Sequence, residues 1–409
     1  MRLSQQVKRF WLVAAASVCL GAASTALGGA FEVLQQGARA SGQADAFVAQ
    51  ADDPSAIWYN PAGLTQLHGT NAMLGAYIVV PDYHFKGLNG SSASNHQVSE
   101  LPTIYAESDL GTEKFRFGLG LNNVYGLRED YGKNGPLQYL FTRGHLYTIN
   151  VEPTVAYQAN EHLSFGVGFN IYAGSADLEH SQLLGAPPTP VGYLKLGGND
   201  IAFGVSPGLM LKIDDRNSVG LFYHSPATLH LGGMASIHAR GIPTIGPSPT
   251  NAGIEIPQTA GIGYAFRPTD RLKIETDAVW SNWSTLQGIR IQSSNPLFNN
   301  QVIPTKYHDT WAFRLGTQYA LTNHWTVRGG YAYGTSAAPQ ATFSPLVPDS
   351  NYHLFSAGLG YAQDNWTVDG AYVFILRETR NIASSINAAA DGKWNTNMQG
   401  FMVSLGVKL

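Results

Sequence analysis

Apolar residues alternate with small or polar residues through most of this chain, from about residue 71 to the last residue. The clearest stretch is 163–171, where the apolar residues Leu163, Phe165, Val167, Phe169 and Ile171 are separated by Ser164, Gly166, Gly168 and Asn170. Successive side chains of a β-strand point to opposite faces, so each such stretch predicts a strand with one apolar face. A water-soluble β-sandwich and a membrane β-barrel both show this pattern, and the alternation alone does not separate them.

The connections between these stretches do separate the two folds. We predict fourteen strands, near 71–80, 101–108, 114–124, 145–158, 161–174, 201–213, 218–230, 258–267, 271–283, 309–321, 324–335, 351–362, 365–377 and 397–409. Tight turns such as Ala159-Asn160 and Thr322-Asn323 alternate with long segments such as 231–257. Short turns at one end and long loops at the other are typical of outer-membrane barrels. The fold class is therefore all-β: a 14-stranded antiparallel transmembrane β-barrel over residues 71–409.

The composition agrees with a barrel and excludes other classes. Charged residues make up only 13% of the chain, and the mean hydropathy is −0.10. No later segment approaches 18 uninterrupted apolar residues, so we predict no transmembrane helix. No basic patch is present, so we expect no nucleic-acid partner. Trp325 and Trp366 follow tight turns, and Trp280, Trp283 and Trp311 lie near long loops, as the aromatic girdles of a barrel require.

The first 28 residues resemble a secretory signal. Arg2, Lys8 and Arg9 precede the apolar run 10–20, and small residues follow at 23–28. This order is typical of a cleaved signal peptide, so we predict that residues 1–28 are removed. The one cysteine, Cys19, lies in that segment. The mature chain then has no thiol chemistry, and 22 basic residues stand against 28 acidic ones, a net charge of −6.

Residues 29–70 show no alternation and are rich in Gly, Ala, Gln and Ser. Within them, Asp52-Asp53-Pro54-Ser55 and Asn60-Pro61-Ala62-Gly63 are turn clusters, since proline fixes φ and Asx side chains bond nearby backbone. They enclose the apolar segment 56–59. Fourteen strands enclose a lumen too wide for side chains alone to fill. We therefore predict that residues 29–70 form an N-terminal plug, or hatch, inside the lumen.

These residues carry a family resemblance. Gly37, Ala44, Ala51-Asp52-Asp53-Pro54-Ser55 and Trp58-Tyr59-Asn60-Pro61-Ala62-Gly63 are similar to the hatch of the FadL/TodX family, outer-membrane transporters of long-chain fatty acids and aromatic hydrocarbons. The Asn-Pro-Ala motif at 60–62 lies well after the expected cleavage site and just before the first strand, as in that family. The resemblance covers the whole mature chain and implies a cell outer-membrane location.

The resemblance also implies a mechanism. A ligand lands among the outer loops, moves to a tighter site at the hatch N-terminus, and leaves sideways where the third strand kinks. The residues expected to bind ligand or to gate are Phe31, Leu34, Phe47, Trp58, Asn60, Pro61, Ala62, Gly118 and Gly120. The two glycines would permit the kink, because Gly in a strand often marks a bend or bulge. Phe31, Leu34 and Phe47 either contact ligand or only pack the plug. The Asn-Pro-Ala motif either gates or is a structural turn.

We predict passive uptake of long-chain fatty acids or similar hydrophobic molecules, with no cofactor and no metal. An aromatic-hydrocarbon channel is the alternative, and an outer-membrane lipid-modifying enzyme is a less favoured one. Asp177, Glu179 and His180 have irregular spacing, which favours a solvated loop over a metal site. Candidate partners of a ligand carboxylate are Lys195, Arg240, Arg290, Lys306 and Arg314. We expect a monomer surrounded by outer-membrane lipid and lipopolysaccharide.

Overall fold

A computed structural model describes residues 29–184 and 191–409. The predicted signal peptide lies outside the described residues. Fourteen strands form one closed ring: β1 Thr70–Gly87, β2 Ser99–Ser108, β3 Phe115–Asn122, β4 Arg143–Gln158, β5 Leu163–Leu183, β6 Val191–Lys212, β7 Asn217–His224, β8 Thr259–Thr269, β9 Leu272–Ser281, β10 Thr310–Ala320, β11 Trp325–Gly334, β12 Tyr352–Gln363, β13 Trp366–Arg377 and β14 Gly392–Lys408.

Each strand pairs antiparallel with the next, and β14 pairs back onto β1 from Asn71–Lys408 to Gly87–Gly392. The predicted 14-stranded barrel is therefore confirmed, and all fourteen strands fall where the alternation predicts them. Seven predicted segments are shorter than the observed strands, most clearly those of β1, β5 and β6, which continue beyond the apolar alternation into the long-loop side. Six are longer than the observed strands, and one is equal in length. Among the described residues, no helix is long and apolar enough to cross a membrane.

The apolar face of the strands is turned outward. Phe165, Val167 and Phe169 are 42–49% exposed, whereas Ser164 and Asn170, which flank this run, are buried. The same holds on β6, where Ile201 and Phe203 are more than half exposed. A water-soluble sandwich buries its apolar face, so this inversion is the pattern of strands surrounded by lipid.

Seven further strands extend the wall into the long loops: Ser92–Asn95, Gly126–Asp130, Ala227–Ala239, Ile242–Ile256, Gly288–Ser293, Gln301–Pro304 and Arg380–Ile382. Ser92–Asn95 pairs with the end of β1, Gly126–Asp130 pairs with β4, and Ala227–Ala239 continues β7 along β6.

Residues 29–69 lie inside the ring, and we call them the hatch. They contain two one-turn helices, α1 Ala38–Ser41 and α2 Ala56–Tyr59, and the 3-10 helix Pro61–Gln66. Nearly every residue from 29 to 65 is buried. The small residues at 37–46 let the backbone lie against the wall: the Ala38 N–H donates to Ser404 Oγ of β14, and the Ala44 N–H donates to Ser356 Oγ of β12.

Candidate functional site

Two carboxylates on the inner face of β9 hold the middle of the hatch. Asp277 Oδ2 accepts hydrogen bonds from the Phe47 and Val48 N–H groups at 2.9 and 3.3 Å. The two oxygens of Glu275 accept from the next two N–H groups, those of Ala49 and Gln50, at 2.6 and 2.9 Å. Four consecutive backbone N–H groups of the hatch thus donate to two side chains of one strand, so β9 is the main tether of this segment. Sequence reasoning missed both residues, although they are two positions apart on one face of a strand.

Ion pairs hold the periplasmic side of the hatch, where the tight turns lie. Asp52 contacts Lys273 of β9 at 2.5 Å and Arg39 of α1 at 3.3 Å. Arg39 also approaches Asp369 of β13 at 3.7 Å, and Asp369 binds Arg328 of β11 at 2.7 Å. Burial alone would raise the pKa of Asp52, but Lys273 and Arg39 together hold that pKa well below its usual range. These ion pairs therefore link the hatch directly to β9 and β13 and, through Asp369, to β11.

The Asn-Pro-Ala motif is pressed against the wall. The Asn60 amide donates to the Val48 carbonyl at 2.8 Å and to the Leu209 carbonyl of β6 at 3.1 Å, while its oxygen accepts from the Ala62 N–H. Asn60 thus begins the 3-10 helix and ties it both to the hatch and to the barrel. Pro61 occupies its first position, where the missing N–H costs nothing. The wall opposite carries glycines at 166 and 208, and any side chain there would collide with the motif.

The other predicted hatch residues pack in different directions. The ring centroid of Trp58 is 4.0 Å from that of His224, and His224 Nε2 contacts the Trp58 carbonyl at 3.0 Å. Phe47 meets Tyr59 edge-on at 5.5 Å. Leu34 packs against the wall in a separate cluster that includes residues of β12, β13 and β14. Trp58, Phe47 and Leu34 therefore pack the plug in this structure and do not line the apolar cavity on the long-loop side.

The third strand is interrupted. It ends at Asn122, and extended pairing resumes only at Gly126. The hatch fills this break as a short extra strand, because the Val33 N–H donates to the Val124 carbonyl at 2.8 Å and the Gly126 N–H donates to the Phe31 carbonyl at 2.9 Å. Beyond the break, residues 99–103 of β2 pair with β1 but not with β3.

Gly118 and Gly120 do not make this break. Both lie in regular pairing, Gly118 opposite Glu107 and Gly120 opposite Tyr105. A Cβ at either position would lie 2.9 Å from the side chain of Ile57 in α2. The two glycines therefore provide room for the hatch, and the expected bend at these glycines is replaced by an interruption slightly farther along the strand, at 123–125.

An apolar cavity of about 120 Å³ lies above the hatch, towards the long loops. Phe31 forms part of its wall, so Phe31 is the one predicted site residue that lines it. The remaining wall is mostly aliphatic and comes from strands and loops far apart in sequence, including Leu127, Leu146, Leu196, Leu231, Ala252, Ile254, Leu286, Ile291, Tyr307 and Val347. Sequence reasoning missed these residues, because inward-facing apolar positions of extended strands carry no motif.

Trp283 corrects another expectation. The sequence places it in an aromatic girdle, but it is fully buried and meets Phe31 edge-on with ring centroids 4.7 Å apart. It begins a 3-10 turn after β9 that folds inward over the lumen. Tyr125, at the break in the third strand, packs against the same phenylalanine at 6.2 Å. Phe31 therefore connects the cavity to the break.

The polar groups of the cavity are few. His145 Nε2 lies 3.5 Å from Asp177, and both residues line the wall together with Thr305, Thr342 and Ser344. None of the described residues that line the cavity is a lysine or an arginine. Of the predicted carboxylate partners, Arg314 donates to the Asp45 carbonyl inside the hatch, and Lys195 lies 3.8 Å from Glu179. Lys306, Arg240 and Arg290 are also absent from the lining.

Glu32 is the one acidic residue of the hatch N-terminus. It lies between Phe31 and Val33, in an isolated antiparallel bridge with Tyr125. Burial raises its pKa to about 7, although Arg314 and Ser281 oppose this effect. The hatch segment that fills the break therefore carries a group that titrates near neutral pH.

A sequence profile of one family, described as "Outer membrane protein transport protein (OMPP1/FadL/TodX)", matches residues 19–408. The chain belongs to this family. Its members are outer-membrane transport proteins, which agrees with the lipid-facing barrel described above. The chain is accordingly an outer-membrane protein, and the family is one of transport channels and not of enzymes.

Individual relatives and structures show the same similarity. The chain is 27% identical over 76% of its length to the long-chain fatty acid transport protein of Escherichia coli O6:H1, covering 78% of that protein. It is 29% identical over 96% of its length to the 47 kDa outer membrane protein of Pasteurella multocida, covering 97% of it. In fold it is similar to a Pseudomonas aeruginosa FadL homologue, with TM-score 0.84, 21% identity and coverage of 93% and 99%. It is also similar to the Pseudomonas putida toluene transporter TodX, with TM-score 0.78, 19% identity and coverage of 95% and 100%.

Proposed function

We propose that this protein is a passive channel that takes hydrophobic small molecules from the cell exterior into the outer membrane, with the hatch as its gate. The observation that carries the proposal is the position of Phe31. Its side chain closes the base of an apolar cavity, and its carbonyl accepts from Gly126 at the break in the barrel wall. One short segment thus forms both the end of the binding site and the closure of a sideways exit.

Transfer into the cavity is favourable because it removes apolar surface from water, by about 0.8 kcal/mol for each buried methylene. Release requires the segment 31–33 to withdraw from 124–126. The ligand then leaves between the upper part of β2 and the interrupted third strand, where a side chain bridges the wall: the Asn123 amide donates to the Pro102 carbonyl at 2.8 Å. Pro102 has no N–H, so it cannot add a backbone bond across the gap. The exit delivers the ligand directly to lipid.

The cavity best suits a neutral ligand. A buried carboxylate needs a cationic partner or several donors, and the described lining offers neither lysine nor arginine. The volume of about 120 Å³ is also close to the ~150 Å³ of a known apolar cavity that binds benzene. Hydrocarbons of about the size of a single aromatic ring are therefore our first substrate class, and the resemblance in fold to a toluene transporter supports it.

Long-chain fatty acids are the second candidate. His145 is the one cavity residue that has an ionisable nitrogen base, and its Nε2 lies 3.5 Å from Asp177. The Escherichia coli relative described above is a fatty acid transport protein by name. A fatty acid would place its carboxylate at His145 and its chain along the aliphatic wall. In either case the protein needs no catalytic step, works as a monomer, and lies among outer-membrane lipid and lipopolysaccharide.

The test is uptake of radiolabelled toluene and oleate by intact cells that lack other such channels, with wild type beside His145→Ala and Pro61→Ala. We expect toluene uptake to depend on the protein and to be unchanged in His145→Ala, whereas oleate uptake, if present, falls in that variant. Pro61→Ala, which alters the hatch, should change the uptake of both. The proposal fails if neither compound enters faster with the protein than without it, and an outer-membrane enzyme would then become the better hypothesis.

A further inference from the structure

Two histidines and an aspartate meet on the outside of the barrel, and none of the three lines the cavity. Asp82 and His84 are two positions apart on the outward face of β1, beyond the lipid-facing Leu74 and Ile78 of the same strand. His96 directly follows the short strand Ser92–Asn95, which pairs antiparallel with the end of β1. Since Asn95 is opposite Tyr83, the same register brings His96 opposite Asp82. The hairpin therefore fixes the three residues on one surface at the long-loop end.

Their side-chain atoms converge. His84 Nε2 lies 2.9 Å and His96 Nδ1 lies 3.5 Å from the same Asp82 oxygen, and the centroids of the two imidazole rings are 5.4 Å apart. One ligand atom from each residue lies within 4.8 Å of the other two. Ligands at about 2.0–2.1 Å from a tetrahedral metal are roughly 3.3 Å from one another, so small side-chain rotations suffice to place an ion between them.

We propose that Asp82, His84 and His96 form a binding site for a borderline divalent transition-metal ion such as Zn²⁺. Imidazole nitrogens with one carboxylate are ligands that Zn²⁺ accepts, whereas Ca²⁺ and Mg²⁺ prefer oxygen ligands alone. Each of the three side chains is a little more than half exposed, so an ion reaches them from solvent. A tetrahedral ion leaves a fourth position for water. Within 29–184 and 191–409, this is the one group of three such residues with converging ligand atoms.

A hydrogen-bonded surface cluster without metal is the competing explanation, because Asp82 can accept from both imidazoles. The sequence alone predicts no metal here, because Asp82 and His96 are well separated in the chain and only the hairpin register brings them together. The two explanations differ in one measurable property, which is stoichiometric uptake of metal.

The experiment uses the mature protein without a polyhistidine tag, stripped with chelator in detergent and titrated with Zn²⁺ by calorimetry. Wild type and His238→Ala should bind one Zn²⁺ per chain. His238 is the matched control, since it is an exposed histidine whose ring nitrogens contact Ser236 and Thr244. His84→Ala, His96→Ala and Asp82→Asn should each bind Zn²⁺ at least about tenfold more weakly. Mutation of residues that only hydrogen-bond to metal ligands already lowers metal affinity about 10–100-fold, so loss of a ligand should cost at least as much.

Bound Co²⁺ gives a second readout, because a tetrahedral site with nitrogen ligands absorbs visible light much more strongly, and at longer wavelength, than the octahedral aqueous ion does. Heat-modifiable gel mobility confirms that each variant retains the barrel, which is expected because all three side chains are on the surface. The proposal is overturned if wild type binds no Zn²⁺ even when the metal is added in excess over the protein. It is also overturned if His84→Ala and His96→Ala bind Zn²⁺ as strongly as His238→Ala does.

Discussion

Gly208 of β6 lies against Asn60 of the hatch. A Cβ added at this glycine would stand 2.8 Å from Pro61 Cδ and closer still to the amide oxygen of Asn60. The wall has no side chain at this point because the hatch backbone occupies the space. The position of the Asn-Pro-Ala motif therefore depends on a glycine in a distant part of the chain.

Gly208→Ala should displace the motif. The added methyl cannot be accommodated without moving Asn60 or β6, and overpacking of this kind costs about 1–3 kcal/mol. We expect a lower thermal unfolding temperature and an increased ion current through single channels in planar bilayers. Gly370→Ala on β13 is the control, since a Cβ there meets no atom within 4 Å. If Gly208→Ala and Gly370→Ala have the same unfolding temperature and the same ion current, the contact between Gly208 and Asn60 does not hold the hatch in place.

Asp277→Ala should loosen the middle of the hatch. The variant removes the acceptor of the Phe47 and Val48 N–H groups, and each such hydrogen bond contributes about 0.5–1.5 kcal/mol to stability. We expect faster hydrogen exchange in a peptide that covers residues 44–50. Asp277→Asn keeps one carbonyl oxygen and should exchange at an intermediate rate. Unchanged exchange in the alanine variant would contradict the tether.

Stability should depend on pH through Glu32. Burial raises its folded pKa to about 7, above the 4.5 of the free side chain, so the folded protein binds this proton more tightly than the unfolded chain does. The contribution is therefore full below about pH 4.5 and is lost as the pH rises through about 7. We expect the unfolding temperature to fall between about pH 5 and about pH 8.

The matched variant is Glu32→Gln, which cannot ionise and should show a flatter unfolding profile over the same pH interval. An identical slope in wild type and Glu32→Gln would assign the pH dependence to other groups. Because Glu32 lies in the segment that fills the break in the third strand, channel current should rise with pH in wild type and remain steadier in the variant.

Ala252→Phe should block the cavity. The alanine lines the cavity of about 120 Å³, and a phenyl ring would occupy most of that volume. We expect slower uptake of toluene with unchanged barrel assembly. Ala76→Phe is the control, because Ala76 is exposed on the lipid side of β1 between Leu74 and Ile78. Normal uptake by Ala252→Phe would show that ligands take another path.

The alternation of apolar residues predicts the strands because it is local, and the succession of tight turns and long loops then indicates a barrel. Phe165, Val167 and Phe169 indicate one strand face without reference to any other part of the chain, and turns such as Ala159-Asn160 mark where the strand starts. The inward face is less predictable, since small, polar and charged residues all occur there. Glu275 and Asp277 are recognisable as charged residues in a strand, but their partners are backbone N–H groups that no sequence motif marks.

The sequence predicts the candidate site only for the residues that belong to the hatch. Phe31 can be identified because it lies in a short segment with few hydrophobic residues. Trp283, whose ring packs against it, comes from a distant part of the chain, and its position near a long loop suggests a girdle residue. Trp283 turns inward because it packs against residues inside the lumen, and these come from distant parts of the chain. Gly118 and Gly120 are unusual in a strand, as the sequence indicates, but their physical reason is contact with Ile57.

The hatch segment 31–33, which supplies the missing hydrogen bonds of the third strand, has a consequence for biogenesis. Once β14 has paired with β1, the ring of fourteen strands is closed, and this N-terminal segment can no longer enter it from the side. The order of synthesis solves the problem, because the hatch leaves the ribosome and crosses the inner membrane before any strand does. We therefore expect the wall to assemble around the hatch, with pairing of the first and last strands as the step that encloses it.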